Sequence, residues 1–318
     1  MEIVLLLAGG LVLLVIGGEA VVRGAVGVAR RLGVSELLIG LTLVGFGTSA
    51  PELVTSIKAA LAGSPGISIG NVVGSNISNI LLILATVVLI KPIAVDPNAV
   101  RRDGSVMLAA TFLLCGIGVG IGELTQWVGA ILVAALVAYL VVAAVMERHN
   151  GAAAQMHKAE GHLHDPVPSP LWLSLLIAVA GLACLIFGAD LLVRGAITLA
   201  RLAGVSETVI GLTVVAVGTS LPELVASLAA AIKGRANVAF GNIIGSNIYN
   251  ILGILGVTAL ITPIPFPPDM GMRDWIALVG SAVVLIVYSR SRVRLGRPEG
   301  AVMLALYAAY CGALLAMA

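Results

Sequence analysis

The sequence predicts an all-α integral membrane protein of ten transmembrane helices, built as two inverted repeats of five, with helices two and seven broken. Three observations predict it. Of the 318 residues 59% are hydrophobic and 11% are charged, with a mean hydropathy of +1.11. A soluble domain carries about 25% charged residues, so a merely large buried core does not account for this composition. Apolar stretches of about 20 residues recur, each long enough to cross a bilayer as a helix. The chain also repeats itself, because adding 171 to a residue number in the first half lands on its counterpart in the second.

The repeat holds register over nearly the whole chain. Gly17-Gly18-Glu19 aligns with Gly188-Ala189-Asp190, and Val22-Arg23-Gly24-Ala25 with Val193-Arg194-Gly195-Ala196. Gly33-Val34-Ser35-Glu36 matches Gly204-Val205-Ser206-Glu207, and Arg102-Asp103 still matches Arg273-Asp274. The domains are therefore residues 1–146, a linker at 147–171, and residues 172–318. In the first repeat helices are expected at 3–22, 36–61, 69–90, 104–122 and 127–146. In the second they are expected at 172–193, 207–232, 240–261, 275–290 and 300–317. Five is an odd number of spans, so the second copy enters the membrane upside down. Secondary transporters share this plan and place their site near the midplane, at the repeat interface.

Charge sets the orientation. With the N-terminus outside, fourteen lysines and arginines fall on the cytoplasmic side, and only Lys58, Arg194, Arg201 and Arg273 on the other. The positive-inside rule then places both termini outside and the 147–171 linker in the cytoplasm of a cell (inner) membrane protein. Residues 1–22 have no basic n-region, Glu2 being acidic, and are expected to be a retained helix rather than a signal peptide. The linker holds all four histidines, His149, His157, His162 and His164. Their spacing is unordered, which favours a solvated loop over a metal or proton sensor. Cys115, Cys184 and Cys311 lie in apolar stretches without a Cys-x-x-Cys pair, so they read as buried spacers and suggest neither disulfide nor zinc. No basic patch interleaved with aromatics points to nucleic acid, and no obligatory protein partner is evident; the bilayer is the partner.

Function concentrates in helix two. Gly40 to Phe46 is apolar, and Gly47-Thr48-Ser49-Ala50-Pro51-Glu52 then interrupts it. A carboxylate in hydrocarbon costs about 2.5 kcal/mol or more and by default marks a functional site. The element returns as Gly218-Thr219-Ser220-Leu221-Pro222-Glu223. Proline removes an intrahelical hydrogen bond, and at membrane depth such a break survives only inside protein or against a cavity. The break is expected to free carbonyls, Gly45 in one copy and Ala216 in the other. With Thr48, Ser49 and Glu52 they make a cluster of hard oxygen ligands, suited to Ca²⁺ and to Na⁺. The competing reading is a capping box, Ser49-x-x-Glu52, in which both side chains only satisfy amides of the restarting helix. Repetition as Ser220-x-x-Glu223 in an inverted module favours the ion site.

Helix three carries Gly70, Gly74, Ser75 and Asn79 at steps of four or five, and helix eight carries Gly241, Gly245, Ser246 and Asn250. That spacing puts small and polar groups along one face. The glycines suit a packing seam; Ser75, Asn79, Ser246 and Asn250 are candidate ligands, since helix two must bury its polar face against something. Glu19 with Arg23 and Asp190 with Arg194 read as i,i+4 pairs near the ends of helices one and six.

Gly-Thr-Ser-x-Pro-Glu followed by Gly-Asn-x-x-Gly-Ser-Asn-Ile-x-Asn, twice over essentially the full chain, resembles the two alpha repeats of the Na⁺/Ca²⁺ exchanger family, within the cation/Ca²⁺ exchanger superfamily. The resemblance implies a ten-helix antiporter with ion sites between helices two, three, seven and eight. It implies Glu52 and Glu223 as shared carboxylate ligands, hydroxyl ligands from Thr48, Ser49, Thr219, Ser220, Ser75 and Ser246, and carbonyl ligands from Gly45 and Ala216. It also implies that helices one and six slide, so that the two i,i+4 pairs could set their resting position. Some prokaryotic relatives carry aspartate at the position of Asn250, whereas both copies here carry asparagine, Asn79 and Asn250. The two glutamates then bring two negative charges, which one Ca²⁺, two Na⁺ or two H⁺ neutralise and three Na⁺ exceed by one. The Gly-Thr-Ser-x-Pro-Glu element favours sodium, and a Ca²⁺/H⁺ antiporter using the same glutamates is the alternative. No cofactor is implied; Ca²⁺ and Na⁺ are bound as cargo. An enzyme is not expected, because no nucleophile–base pair, membrane-embedded histidine or cofactor motif accompanies the carboxylates. A cation channel is the other rival, to be separated by counter-ion dependence.

Overall fold

The first helix of each repeat runs past its expected end. In the computed structural model, which describes residues 2–31, 45–95, 97, 100–149, 170–232, 236–291 and 294–316, α1 spans Glu2–Arg31 and α6 spans Leu171–Ala203. The expected ends are 22 and 193, but the helices continue past them, and the charged residues there pair along the helix. Arg23 Nε lies 2.5 Å from Glu19 Oε1, and Arg194 Nη2 lies 2.8 Å from Asp190 Oδ2. Chain reversal after α6 waits for Gly204, whose φ of +69° suits a residue without Cβ.

α2 is seen from Gly45 onward, in two pieces, Gly45–Thr48 and Ala50–Leu61. The expected start of this helix, and the Gly40–Val44 part of its apolar run, lie outside the described residues. α3 is Pro65–Ile90, α4 is Val100–Gly120 and α5 is Gln126–His149. In the second repeat α7 has the pieces Glu207–Thr219 and Leu221–Ile232, bent by 43°. α8 covers 236–261, α9 is Met272–Ser291 and α10 is Arg297–Ala316. Among the described residues eight helices are long and apolar enough to cross a membrane, and the bent pair of α7 makes a ninth; part of α2 completes the ten. α3 begins four residues before its expected start because Pro65 suits the first turn of a helix, where its missing N–H costs nothing. Of the linker, residues 150–169 lie outside the description, with His157, His162 and His164.

Two short antiparallel ladders tie the repeats together. β1 (Ile93–Ala94) pairs with β4 (Arg294–Leu295), and β2 (Glu123–Leu124) with β3 (Ile264–Pro265). A shift of 171 residues turns β1 into β3 and β2 into β4, so each ladder is the image of the other. That exchange is the signature of a two-fold axis between inverted copies. Lipid-facing helices surround a dry centre: the apolar windows of α1 and α5 are each 22% buried, those of α3 and α8 78% and 83%. Cys115, Cys184 and Cys311 are half-buried on α4, α6 and α10, less enclosed than spacers of a core.

α3 and α8 also widen where the sequence places asparagine. Asn79–Leu84 and Tyr249–Leu255 form π turns, with an extra residue per turn. Such turns inside α-helices occur frequently at functional sites, since they re-aim side chains at the expense of regular bonding.

Candidate ion-binding site

The break in each long helix falls on serine. Ser49 (φ −88°, ψ 8°) and Ser220 (φ −83°, ψ 7°) separate the two pieces of α2 and α7. Pro51 and Pro222 follow, and neither has an N–H for the carbonyl four residues back, that of Gly47 or Gly218. The expectation that Ala216 would be freed does not hold, because its carbonyl accepts from Ser220 N at 3.1 Å. It also accepts from the Ser75 hydroxyl at 3.4 Å, which keeps it beside the polar cluster. Gly45 lies in the first piece of α2, one turn before the break.

Across the axis, the hydroxyls and carboxylates are exchanged. Ser49 Oγ donates to Glu223 Oε1 at 2.8 Å, and Ser220 Oγ donates to Glu52 Oε1 at 3.0 Å. Each bond joins one repeat to the other. Ser49 makes no side-chain capping bond to its own helix, so the capping-box reading gives way to this crossed pairing. Ser246 joins the Glu223 side, 3.3 Å from Ser49 Oγ and 3.5 Å from Glu223 Oε1. Thr48 also interacts with Glu223. Thr219 Oγ1 donates to Asn71 Oδ1 at 3.0 Å and reaches the Val215 and Ala216 carbonyls at 3.0 and 3.3 Å. From the π turns, Asn79 Nδ2 donates to Asn247 Oδ1 and Asn250 Nδ2 to Asn76 Oδ1.

The cluster is dry: Glu52, Glu223, Ser75, Ser220 and Asn79 are 0% exposed, Thr219, Ser246 and Asn250 1%. Four of its oxygens make no hydrogen bond among the described residues: Glu52 Oε2, Glu223 Oε2, Asn79 Oδ1 and Asn250 Oδ1. Leaving buried acceptors unmet is costly, about 1–3 kcal/mol each and more for a charged group. They form two pairs related by the two-fold repeat, and all are hard oxygens. A donor set of carboxylates, amide carbonyls and hydroxyls fits Ca²⁺, which takes six to eight such ligands, and fits Na⁺ as well. The sequence-predicted residues of α2, α3, α7 and α8 thus converge on one centre.

Asn71, Asn76, Asn247 and Ser56 belong to the same polar network and were not singled out from sequence. Asn71 Nδ2 donates to Ser56 Oγ at 2.9 Å and to the Glu52 carbonyl at 3.2 Å. The signal available was their place in the doubled Gly-Asn-x-x-Gly-Ser-Asn motif. The predicted glycine seam holds at Gly70 and Gly74: a Cβ there would lie 2.9 Å from Leu212 N and 2.4 Å from Leu212 O. At Gly245 a Cβ would meet nothing within 4 Å among the described residues.

Known proteins resemble this chain over nearly its whole length. The family model described as sodium/calcium exchanger protein matches residues 2–145 and 173–316. CaxA of Alkalimonas amylolytica is 38% identical, over 95% of this chain and 95% of its own. The sodium/calcium exchanger MaX1 of Methanosarcina acetivorans is 34% identical, over 96% of each. Among solved structures, the sodium-calcium exchanger NCX_Mj soaked with 2.5 mM Na⁺ and 10 mM Sr²⁺ superposes with a TM-score of 0.62 at 35% identity, covering 96% of this chain and 97% of that one. A doubled motif, a two-fold helical frame and full-length likeness lead to one conclusion: the chain belongs to the sodium/calcium exchanger family of membrane transporters.

Proposed function

We propose that this protein extrudes Ca²⁺ in exchange for Na⁺ influx, by alternating access, across the cell (inner) membrane. The observation that carries the reading is the crossed pairing of Ser49 with Glu223 and Ser220 with Glu52, whose remaining carboxylate oxygens have no hydrogen bond among the described residues. Glu52 and Glu223 are the shared ligands. Thr48, Ser49, Thr219, Ser220, Ser75, Ser246, Asn79 and Asn250 supply neutral oxygens, with the Ala216 and Gly45 carbonyls alongside. Both termini lie outside and the 147–171 linker in the cytoplasm, as fourteen against four basic residues favour.

Exchange follows from competition. Both cations seek the same oxygens, so one leaves when the other loads. An unloaded centre keeps two carboxylates in a dry place, and their repulsion and lost hydration oppose moving it empty across the membrane. In proteoliposomes, Glu52→Gln or Glu223→Gln should abolish Na⁺-driven Ca²⁺ flux while the purified protein keeps its elution volume and unfolding midpoint. Flux retained by either variant would falsify the site.

Proton coupling is the second reading, and the charge count disfavours only a three-Na⁺ exchange: two carboxylates and no third acid among the named ligands are neutralised by two H⁺, or by two Na⁺, as completely as by one Ca²⁺. Ca²⁺ uptake under an imposed Na⁺ gradient, compared with an equal pH gradient, separates the two. Sodium coupling predicts uptake in the first only.

A further inference from the structure

An asparagine has two unlike ends, one oxygen that can meet a cation and one NH₂ that repels it. Which end of Asn79 and Asn250 faces the cluster is therefore decided by what holds the other end. Asn79 Nδ2 donates to Asn247 Oδ1 at 3.3 Å, and Asn250 Nδ2 donates to Asn76 Oδ1 at 3.1 Å. Each bond crosses from one repeat to the other and occupies the donor end. Each leaves Oδ1 without a hydrogen bond among the described residues.

The two pairs are not held alike. Asn247 Nδ2 donates in turn to Met107 Sδ at 3.7 Å. A thioether accepts and cannot donate, so turning the Asn247 amide over would set its oxygen against sulfur with no hydrogen between them. The chain Met107–Asn247–Asn79 therefore has one polarity. Asn76 Nδ2 is buried and makes no hydrogen bond among the described residues. The residue equivalent to Met107 is Leu278, on α9, which packs against α3 as α4 packs against α8. Leucine prefers neither nitrogen nor oxygen. A concerted turn of both amides would keep the Asn76–Asn250 bond, with donor and acceptor exchanged.

We propose that Asn247 and Asn76 are positioning residues for the ion: they turn the carbonyl oxygens of Asn79 and Asn250 toward it, with Asn79 locked through Met107 and Asn250 free to turn over. The inference rests on the ion-site reading above. Neither positioning residue needs to touch the cation. Each acts as an outer partner that fixes the orientation of a ligand, and loss of such partners typically weakens metal affinity by about 10- to 100-fold.

Ca²⁺ binding to the purified full-length protein, and the KM and maximal rate of Ca²⁺ uptake in proteoliposomes, test it. Asn247→Leu keeps the volume and removes the acceptor; its Ca²⁺ Kd and KM should rise by about 10-fold or more, with the maximal rate little changed. Asn247→Asp restores an acceptor for Asn79 and should recover most of that loss. A residue needed only for packing would give the reverse order, leucine tolerated and buried aspartate harmful, and that order would overturn the proposal. Should the leucine variant not fold, Asn247→Ala makes the same comparison with aspartate. Met107→Leu should weaken binding by about threefold and Leu278→Met should tighten it similarly, as one hydrogen bond lost or gained; wild-type affinity in Met107→Leu would remove the lock. Glu52→Gln and Glu223→Gln identify which idea has failed. If they bind Ca²⁺ normally, the ion site falls and this inference with it. If they lose Ca²⁺ while Asn247→Leu binds normally, only the positioning role falls.

Discussion

Asn71 and Asn242 occupy equivalent places in the two repeats and make the same bond, to Ser56 and Ser227, each at 2.9 Å. Around Asn71 the protein is closed. Gly70, Asn71 and Gly74 are buried, α7 lies directly on them, and Gly66 packs onto the backbone of Thr208. Around Asn242 the described residues enclose less: Gly241, Asn242 and Gly245 are partly exposed, and Pro222 is partly exposed where Pro51 is buried. The same contrast runs through the outer helices, since α6 lies along the second piece of α2 while α1 barely touches the second piece of α7. Equal sequences have adopted unequal packing. Inverted copies make both packings available to either flank, and among the described residues one conformation uses one of each, as the alternating access proposed above would need. With the orientation proposed above, the flank at Asn71 is the outer one and the flank at Asn242 the cytoplasmic one, while the glutamates between them are buried.

Gly74 and Gly245 offer the largest test of that contrast. A methyl at 74 would sit 2.4 Å from the Leu212 carbonyl and 2.7 Å from Ala216 Cβ, so α7 must give way. Gly74→Ala should destabilise the protein by about 1–3 kcal/mol, the usual cost of overpacking. Gly245→Ala meets open space among the described residues and should be neutral, or stabilising by up to about 1 kcal/mol through helix propensity. Unfolding midpoints of the two purified variants decide it, and equal shifts would break the comparison.

Ser56→Ala and Ser227→Ala sharpen it at the next scale. The first leaves one N–H of a fully buried amide unmet, its Glu52 carbonyl bond remaining, and the loss should be about 1–2 kcal/mol. The second frees an amide on a partly exposed residue, and if water reaches it the loss should stay below about 1 kcal/mol. The same midpoints serve, with a ranking of Ser227→Ala as the more damaging variant counting against a sealed flank at Asn71.

The contrast also explains what sequence could and could not disclose. The repeat offset, the broken helices and the convergence of Glu52 and Glu223 on one two-fold site follow from residue identity, because proline, carboxylate and hydroxyl leave few options inside a membrane; the crossed pairing of each glutamate with the opposite repeat's serine does not. Helix ends were misjudged where Glu19–Arg23 and Asp190–Arg194 carry the helix through its charges. The π turns at Asn79 and Tyr249 have no local signature; they arise from how α3 and α8 pack. Gly74 and Gly245 are the plainest case, since identical motifs cannot reveal which copy is packed.

One difference, however, is written in the sequence. Thr208 Oγ1 donates to Asp269 Oδ1 at 2.8 Å, joining the start of α7 to the turn before α9 on the sealed flank. The equivalent positions in the first repeat are Leu37 and Asn98, a pair that cannot form this bond, because leucine has no hydroxyl to donate. The repeats are therefore not interchangeable, and the flank at Asn71 carries a hydrogen bond that Leu37 has no group to donate. Thr208→Val keeps the shape and removes the donor. It should cost about 1 kcal/mol, a factor of about five in the balance between the two conformations. Amide hydrogen exchange of residues 65–72 should quicken by that factor in Thr208→Val and likewise in Asp269→Leu, since those amides are covered by α7 only while the flank is shut. If both variants exchange at the wild-type rate, the bond is a surface contact and the asymmetry resides in packing alone. If they quicken together, the chain has a built-in preference for the conformation in which that flank is shut, and the double variant should show no more than either single one.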